Sequence, residues 1–230
     1  MHASVIIFPG SNCDRDVIVA LTNSMGHEPK SVWHGDRDLS KTDLIVLPGG
    51  FSYGDYLRSG AMAAHSPIMK EVILAAKRGT PVLAICNGFQ IATEAGLLPG
   101  ALIRNSSLKF ICRDVWLQIG TNQSSFTQVF SSTDILKMPV AHHDGNYFLN
   151  DDELAHIKNN EQIAFRYCGP DGSINDASNP NGSIFNIAGV LNEQKNVLGM
   201  MPHPERMSDI SLGGVDGKKM FDGLISILSR

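Results

Sequence analysis

Residues 82–90 read Val-Leu-Ala-Ile-Cys-Asn-Gly-Phe-Gln, an apolar run followed by a turn of small residues and a helical pattern that ends at Gly96. This order predicts a β-strand, a sharp turn and an α-helix, with Cys86 at the tip of the turn. Gly88 lacks a side chain, so the helix can pass close to the strand. The N-terminal end of the helix favours the thiolate of Cys86 over its thiol. The stretch therefore indicates a nucleophile elbow.

The cysteines also allow a second interpretation. Cys13, Cys86, Cys112 and Cys168 are widely spaced, and no C-x-x-C pair is present. This spacing fits neither a zinc site nor a disulfide framework, so we expect four free thiols and no bound metal. Because most unpaired cysteines are simply buried, the elbow alone leaves a structural role for Cys86 open.

The first ninety residues alternate short β-branched runs with helical patterns, which is typical of a doubly wound, flavodoxin-like α/β fold with a mostly parallel sheet. The runs are so apolar that we expect all four to be core strands, covered on both faces. The predicted strands are Val5–Phe8, Ser31–Trp33, Leu44–Leu47 and Val82–Ile85, and helices are predicted near Asp16–Met25 and Ser66–Lys77.

After Gly100 the pattern changes to strands with little helix, which predicts additional mixed strands completing the same sheet. The predicted strands are Leu108–Ile119, Ile163–Tyr167, Ile184–Leu191 and Val197–Met201, with a final helix from about Lys218 to Leu228. The stretch Asp171–Gly182 is rich in Gly, Asn, Asp, Ser and Pro and predicts a loop.

Composition limits the classes of function. The chain has 230 residues, 43% of them hydrophobic, and a net charge of −4. These values predict one domain over residues 1–230 and argue against nucleic acid or an anionic membrane as partner. The N-terminus has no basic segment, and its apolar run stops at Pro9-Gly10, so we expect a cytoplasmic protein.

A candidate base lies in Pro202-His203-Pro204-Glu205-Arg206. Pro204 keeps His203 extended, and in an extended chain Glu205 faces the same side and can orient the ring. A solvent-exposed turn with a surface histidine could have the same sequence. The stretch His142-His143, followed by Asp144, offers a rival base. The apolar run Val197–Met201 favours His203, because it places this residue at a strand end, where open α/β sheets hold their sites.

A glycine-dense loop, Pro48-Gly49-Gly50-Phe51-Ser52-Tyr53-Gly54-Asp55, follows the predicted strand Leu44–Leu47. Such a loop can direct backbone N–H groups at a developing oxyanion, although paired glycines also form ordinary turns. The sequence contains no G-x-x-x-x-G-K-[ST] or G-x-G-x-x-G pattern. We therefore expect that this chain does not bind ATP itself.

Together these residues closely resemble class I (triad) glutamine amidotransferases, and within them the family of glutaminase subunits of phosphoribosylformylglycinamidine synthase. The resemblance covers nearly the whole chain and implies a single type 1 glutamine amidotransferase domain over residues 1–230. It rests mainly on five blocks in the family's order: Asn12–Asp16, Pro48–Tyr56, Cys86–Gln90, Asn179–Ser183 and Gly199–Arg206.

The resemblance implies roles for particular residues. It makes Cys86 the nucleophile and His203 and Glu205 its triad partners. The implied oxyanion donors are Gly50, Phe51 and Asn87, and the implied substrate-binding residues are Gln90, Gly145 and Asn146. A family stretch similar to A-H-G-E-G-N-Y is Ala141–Tyr147 here, where His143 and Asp144 depart from it.

The resemblance also implies partners. Glutamine is the substrate, and its ammonia passes to a formylglycinamidine ribonucleotide synthetase subunit in purine biosynthesis, with a small helper subunit. That partner uses ATP and magnesium, whereas this chain has no cofactor.

Three alternatives stay open from the sequence. Cys13 is a rival nucleophile, but no glycine follows it two residues later. A stand-alone cysteine hydrolase of the DJ-1/PfpI type shares the elbow, but that superfamily usually places a histidine directly after the cysteine, where this chain has Asn87. A catalytically inactive binding subunit could also keep the fold.

Overall fold

The computed structural model describes residues 1–229. Eleven strands and six α-helices are formed in this part of the chain. The strands are β1 (Ala3–Ile7), β2 (Lys30–Trp33), β3 (Leu44–Leu47), β4 (Val82–Ile85), β5 (Ala101–Ile103), β6 (Ile111–Ile119), β7 (Ile135–His142), β8 (Asn146–Phe148), β9 (Ile163–Cys168), β10 (Ile187–Leu191) and β11 (Val197–Met200). The helices are α1 (Asp14–Met25), α2 (Ala61–Ala64), α3 (Pro67–Lys77), α4 (Asn87–Glu94), α5 (Asp151–Asn159) and α6 (Asp216–Leu228).

Nine of the strands form one sheet in the order β2-β1-β3-β4-β11-β10-β9-β6-β7, and β5 pairs with β8 separately. The first five strands of this order are parallel to one another, and the remaining pairs are antiparallel. The predicted fold class, a doubly wound and mostly parallel α/β sheet extended by mixed strands, is therefore confirmed.

The central strands are buried along their whole length. Every residue of β3, β4 and β11 is buried. Helix α4 packs on these three strands, and α1 packs on β1 and α6. The continuous apolar runs fit this position, because a strand covered on both faces has no solvent side that would favour alternating polar residues. Strand β2 was wrongly predicted as a core strand: only Val32 is buried, since β2 is an edge strand paired with β1 alone.

Four elements after Gly100 were not predicted: the strands β5, β7 and β8 and the helix α5. Helix α5 begins with a capping box, in which Asn150 accepts a hydrogen bond from the Glu153 backbone and Glu153 bonds back to Asn150. The stretch Ile184–Leu191 is a strand only from Ile187, because a 3₁₀ turn occupies Ile184–Asn186. The loop predicted at Asp171–Gly182 is confirmed apart from one short 3₁₀ turn at Asp176–Ser178.

The predicted strand–turn–helix elbow is confirmed between β4 and α4. Cys86 at its tip has φ 50° and ψ −105°, a conformation that residues with side chains rarely adopt. A Cβ atom on Gly88 would lie 2.0 Å from the carbonyl oxygen of Leu47 at the end of β3. The helix therefore crosses the neighbouring strand so closely that only glycine fits at this position.

No helix within residues 1–229 has both the length and the apolar character that crossing a membrane requires.

Substitution Gly88→Ala is expected to destabilise the fold by at least about 1–3 kcal/mol, because the new methyl group meets backbone that cannot rotate away. Urea unfolding followed by circular dichroism measures the change. Gly35→Ala is the matched control, since its Cβ would meet only the Trp33 side chain, at 3.4 Å. A Gly88→Ala protein as stable as the control would contradict the close approach.

Candidate active site

The site residues follow the carboxyl ends of four neighbouring parallel strands. Cys13 lies beyond β1, the glycine loop beyond β3, Cys86 beyond β4 and His203 beyond β11. Ligands of open α/β sheets bind at this end, beyond the strands. The sheet order alone thus brings together chain segments that are far apart in sequence.

Cys86 is fixed by the pairing of β4 with β11. Ile85 is opposite Met200 in the parallel register, and the Cys86 N–H donates to the Met200 carbonyl at 2.7 Å. The Cys86 sulfur lies 3.7 Å from the carbonyl oxygen of Ala141. Its side chain is nearly enclosed, with 5% of the residue surface exposed. The nucleophile candidate is therefore held by backbone on one side and enclosed on the other.

His203 and Glu205 form a buried pair. The His203 Nδ1 atom lies 2.5 Å from Glu205 Oε1, and both residues are 1% exposed. His203 is extended as predicted, but Glu205 lies in a 3₁₀ turn at Pro204–Met207. The carboxylate thus reaches the ring around a helical turn, and the expected same-side geometry of an extended chain is wrong. The His203 N–H donates to the Pro139 carbonyl at 2.9 Å, which anchors the segment to β7.

The charges around His203 favour its protonated form. Burial lowers the pKa of the ring, but the negative charge of Glu205, the proximity of Cys86 and the hydrogen bond to Glu205 raise the pKa to about 10 overall. Nδ1 is occupied by Glu205, so the nitrogen left for Cys86 is Nε2. Nε2 has no hydrogen-bond partner among residues 1–229. His203 is therefore an imidazolium at neutral pH, with Nδ1 bonded to Glu205 and Nε2 on the side of Cys86.

A second cysteine reaches the same pair. Ligand atoms of Cys13, His203 and Glu205 all lie within 4.8 Å of one another. A guanidinium nitrogen of Arg206 lies 3.1 Å from the Cys13 sulfur. Burial nevertheless raises the pKa of the Cys13 thiol to about 12, against the lowering effect of Arg206. At neutral pH Cys13 is therefore an uncharged thiol.

Gly49 creates the space for this cluster. A Cβ atom at Gly49 would lie 2.7 Å from His203 Cε1 and 3.3 Å from the Cys13 sulfur. Any larger residue at position 49 would displace the His203 ring from its position beside Glu205. The first glycine of the loop is thus a spacer for the histidine, a role that the sequence pattern did not reveal.

The rival base His142 is buried next to the site but lacks a carboxylate partner. Its Nδ1 atom lies 3.1 Å from the Asn105 side-chain oxygen. Burial, followed by the positive charge of His203, lowers the pKa of His142 to about 4. Because an amide cannot stabilise an imidazolium as a carboxylate does, His142 stays neutral.

The loop after β3 is tied to α4 through the side chain of Asn87. Its oxygen accepts from the Ser52 N–H at 3.1 Å, and its nitrogen donates to Gln90 Oε1 at 2.8 Å. Of the predicted oxyanion donors, Asn87 has a free backbone N–H at the first turn of the helix. The Gly50 N–H has no acceptor within residues 1–229, whereas Phe51 donates to the Gly10 carbonyl at 3.2 Å. Phe51 is therefore not available as a donor in this conformation.

The predicted substrate-binding residues lie together, and their polar groups form hydrogen bonds to other residues of the chain. The Gln90 side-chain nitrogen donates to the Asp144 carbonyl at 2.7 Å. The Gly145 N–H donates to Asn105, and its carbonyl accepts from Asn181. The Asn146 side chain is half-buried and lies 3.4 Å from the Arg104 carbonyl. Gln90 and Gly145 thus hold the wall of the site in place.

The two departures from the family stretch, His143 and Asp144, have different surroundings. Asp144 forms an ion pair with Arg104 at 2.8 Å and accepts from the Ser59 hydroxyl at 2.8 Å. Burial and the charge of Asp144 raise the pKa of neighbouring Asp55 to about 6. His143 is exposed, with its ring edge-on to Phe110. Asp144 is therefore part of a polar network with Arg104, Ser59 and Asp55.

Comparison with known proteins places this arrangement in a class. The family model of the CobB/CobQ-like glutamine amidotransferase domain matches residues 1–213. Phosphoribosylformylglycinamidine synthase subunit PurQ of Rhodospirillum rubrum is 53% identical over 230 residues, covering 100% of both chains. The PurQ subunit of Novosphingobium aromaticivorans is 55% identical over 97% of this chain and 96% of its own.

A solved structure agrees with these relatives. The structure of PurLQS from Thermotoga maritima matches with a TM-score of 0.87 and 46% identity, over 99% of this chain and 98% of that chain. This chain therefore belongs to the CobB/CobQ-like glutamine amidotransferase family and, within it, to the family of PurQ subunits.

Substitution Glu205→Gln is expected to lower the pKa of His203 by about 1–3 units, because it removes a negative charge that raises this pKa. The imidazolium then loses its proton at lower pH than in the unaltered protein. An NMR titration of the His203 ring measures the shift. Glu28→Gln, at an exposed position, is the control. An unchanged pKa would show that Glu205 does not stabilise the charged ring.

Proposed function

We propose that this chain is the glutaminase subunit of phosphoribosylformylglycinamidine synthase. The observation that supports it most is the convergence of the elbow cysteine Cys86 with the buried His203–Glu205 pair, in a chain that shares about half of its residues with PurQ subunits. The chain hydrolyses glutamine to glutamate and ammonia. It needs no cofactor of its own for this chemistry.

Cys86 attacks the side-chain carboxamide of glutamine as a thiolate, and the carbonyl oxygen becomes an oxyanion. The backbone N–H groups of Gly50 and Asn87 stabilise that oxyanion, each contributing on the order of 100-fold to 1,000-fold in rate. His203 then protonates the departing ammonia, which leaves a glutamyl thioester on Cys86. Water, activated by the now neutral ring, hydrolyses the thioester and returns the proton to His203.

Glu205 orients the His203 ring through Nδ1 and keeps Nε2 directed at Cys86. Its negative charge also compensates the imidazolium that exists before the proton is transferred. Cys13 takes no part in bond formation, because its thiol stays protonated and Arg206 occupies its sulfur.

The ammonia passes to a synthetase subunit, which uses ATP and magnesium to convert formylglycinamide ribonucleotide to the amidine in the cytoplasm. The relative from Thermotoga maritima supports such partners, since its structure is that of PurLQS. In this proposal the L component is the synthetase, and the S component is the small helper subunit.

Substitution Cys86→Ala is expected to abolish glutamine-dependent synthesis by the reconstituted complex, by on the order of 10⁴-fold or more, because the attacking atom is lost. Synthesis from added ammonium chloride should continue, since the synthetase is unaltered. Both rates are measured as amidine product.

Cys13→Ala is the matched control for this experiment, because the two sulfurs reach the same histidine. It should keep glutamine-dependent synthesis. The opposite result, with Cys13→Ala inactive and Cys86→Ala active, would make Cys13 the nucleophile. Loss of ammonia-dependent synthesis in Cys86→Ala would instead indicate a damaged complex.

Ammonia release by the isolated chain is expected to be at least tenfold slower than in the complex, as an order of magnitude, because the Phe51 N–H is bonded to the Gly10 carbonyl and becomes a third oxyanion donor when docking frees it. Steady-state ammonia release with and without the synthetase measures the ratio. Bovine serum albumin at equal concentration controls for crowding. Full activity without the synthetase would count against a partner-dependent glutaminase.

A further inference from the structure

Asn105 is completely buried in the loop between β5 and β6, and its side-chain oxygen and nitrogen each form two hydrogen bonds. The Oδ1 atom accepts from the Gly145 N–H at 3.0 Å and lies 3.1 Å from His142 Nδ1. The Nδ2 atom donates to the carbonyl oxygens of His142 and Lys109, both at 2.9 Å. Such an amide fixes the atoms around it, because moving any partner would leave a buried polar group unsatisfied.

These partners also fix the orientation of the amide and the proton on His142. Only the oxygen of Asn105 can accept from the Gly145 N–H, and only its nitrogen can donate to two carbonyl oxygens. The Oδ1 atom has no proton to give, so His142 Nδ1 must carry one. Since burial lowers the pKa of His142 to about 4, the ring is neutral at neutral pH and its Nε2 atom is unprotonated.

Asn105 thereby holds one bend of the chain, residues 142–145, between the end of β7 and the start of β8. The Asn105 backbone adds a further bond, since its N–H donates to the His143 carbonyl at 2.9 Å. The bend is tightly packed, because a Cβ atom on Gly145 would lie 2.4 Å from two atoms of the His142 ring. The position of the whole bend therefore depends on Asn105.

The bend also borders the nucleophile and a predicted substrate-binding residue. The carbonyl oxygen of Ala141, directly before the bend, lies 3.7 Å from the Cys86 sulfur. Within the bend, the Asp144 carbonyl accepts from Gln90 Nε2 at 2.7 Å. The bend therefore determines both the space beside Cys86 and the position of the Gln90 side chain.

From Gln90 the hydrogen bonds continue to the glycine-dense loop. Gln90 Oε1 accepts from Asn87 Nδ2 at 2.8 Å, and Asn87 Oδ1 accepts from the Ser52 N–H at 3.1 Å. Ser52 lies in the same loop as the oxyanion donor Gly50. A continuous series of hydrogen bonds thus links Asn105 on one side of the site to the glycine-dense loop on the other. Fully satisfied buried networks of this kind are rigid.

We infer that Asn105 is a positioning residue for glutamine, which sets the separation between the 142–145 bend and the glycine-dense loop. Its side chain bonds only to protein groups, so it acts through the bend and Gln90. Cys86 is held independently by the pairing of β4 with β11. A displaced bend therefore weakens the binding of glutamine more than it slows the attack on bound glutamine. The inference rests on the proposed function for its substrate.

The kinetic test uses glutamine-dependent synthesis by the complex with Asn105→Ala and Asn105→Asp. Asn105→Ala removes the four side-chain hydrogen bonds, whereas Asn105→Asp keeps the accepting oxygen and loses the two donated bonds. Both variants are expected to raise the KM for glutamine by at least about tenfold and to change kcat by less than about threefold, because uniform binding is lost. Synthesis from ammonium chloride should be unchanged.

Asn196→Ala is the matched control. Asn196 Nδ2 also donates to two carbonyl oxygens, those of Ala76 and Thr80, but Asn196 directly precedes β11 and lies at the opposite end of the sheet from the site. This variant should lower the stability of the fold and leave the KM for glutamine unchanged. An equal rise of KM in Asn196→Ala and Asn105→Ala would indicate a general effect of destabilisation and overturn the inference.

An NMR titration of His142 tests the contact directly. In Asn105→Asp a carboxylate lies beside Nδ1 and favours the imidazolium, so the pKa of His142 should rise by at least about 1. This variant decides alone if Asn105→Ala does not fold. An unchanged pKa, or a KM for glutamine within about twofold of the unaltered value in the Asn105 variants, would overturn the inference. An unaltered complex without glutamine-dependent synthesis would instead refute the proposed function.

Discussion

The parallel pairing of β4 with β11 is the constraint on which the rest of the structure depends. It sets Ile85 opposite Met200 and is continued by the hydrogen bond from the Cys86 N–H to the Met200 carbonyl. Strand β11 is also where the sheet changes from parallel to antiparallel, so this pairing joins the two halves of the chain. Side chains alternate between the faces of a strand, and a shift of one residue would therefore turn the segment leading to His203 the other way.

The elbow stores strain that this pairing helps to support. A residue with a side chain at the φ of Cys86 costs about 1–3 kcal/mol relative to ordinary backbone. The β4–β11 hydrogen bond fixes one side of the turn, and the close contact of Gly88 with Leu47 fixes the other. Because both neighbours are strands of the buried core, the turn cannot relax without opening the sheet. The strained conformation of Cys86 is thus kept at a cost in stability that the core offsets.

The parallel core could be predicted from the sequence because its strands are apolar on both faces and short. Strand β7 could not be predicted by the same rule, since its burial alternates and Pro139 interrupts the run. Proline is tolerated there because β7 is an edge strand, and the free Pro139 carbonyl accepts the His203 N–H. The start of helix α5 is marked in the sequence by the capping box of Asn150 and Glu153. The helix was nevertheless not predicted, because the flanking segments have strand patterns.

Only those contacts of the site that join residues close in sequence could likewise be predicted. His203 and Glu205 are two residues apart, so their contact could be expected from the chain alone, although the turn that creates it could not. The arrival of Cys13 at the same pair depends on strand order, which no local pattern contains. The two thiols then differ in their surroundings rather than in their chemistry. Burial outweighs Arg206 and keeps Cys13 protonated, whereas the raised pKa of His203 reflects the negative charge of Glu205 and the proximity of Cys86. Since a thiol without charge is a weak nucleophile, proximity to the histidine does not by itself make Cys13 reactive.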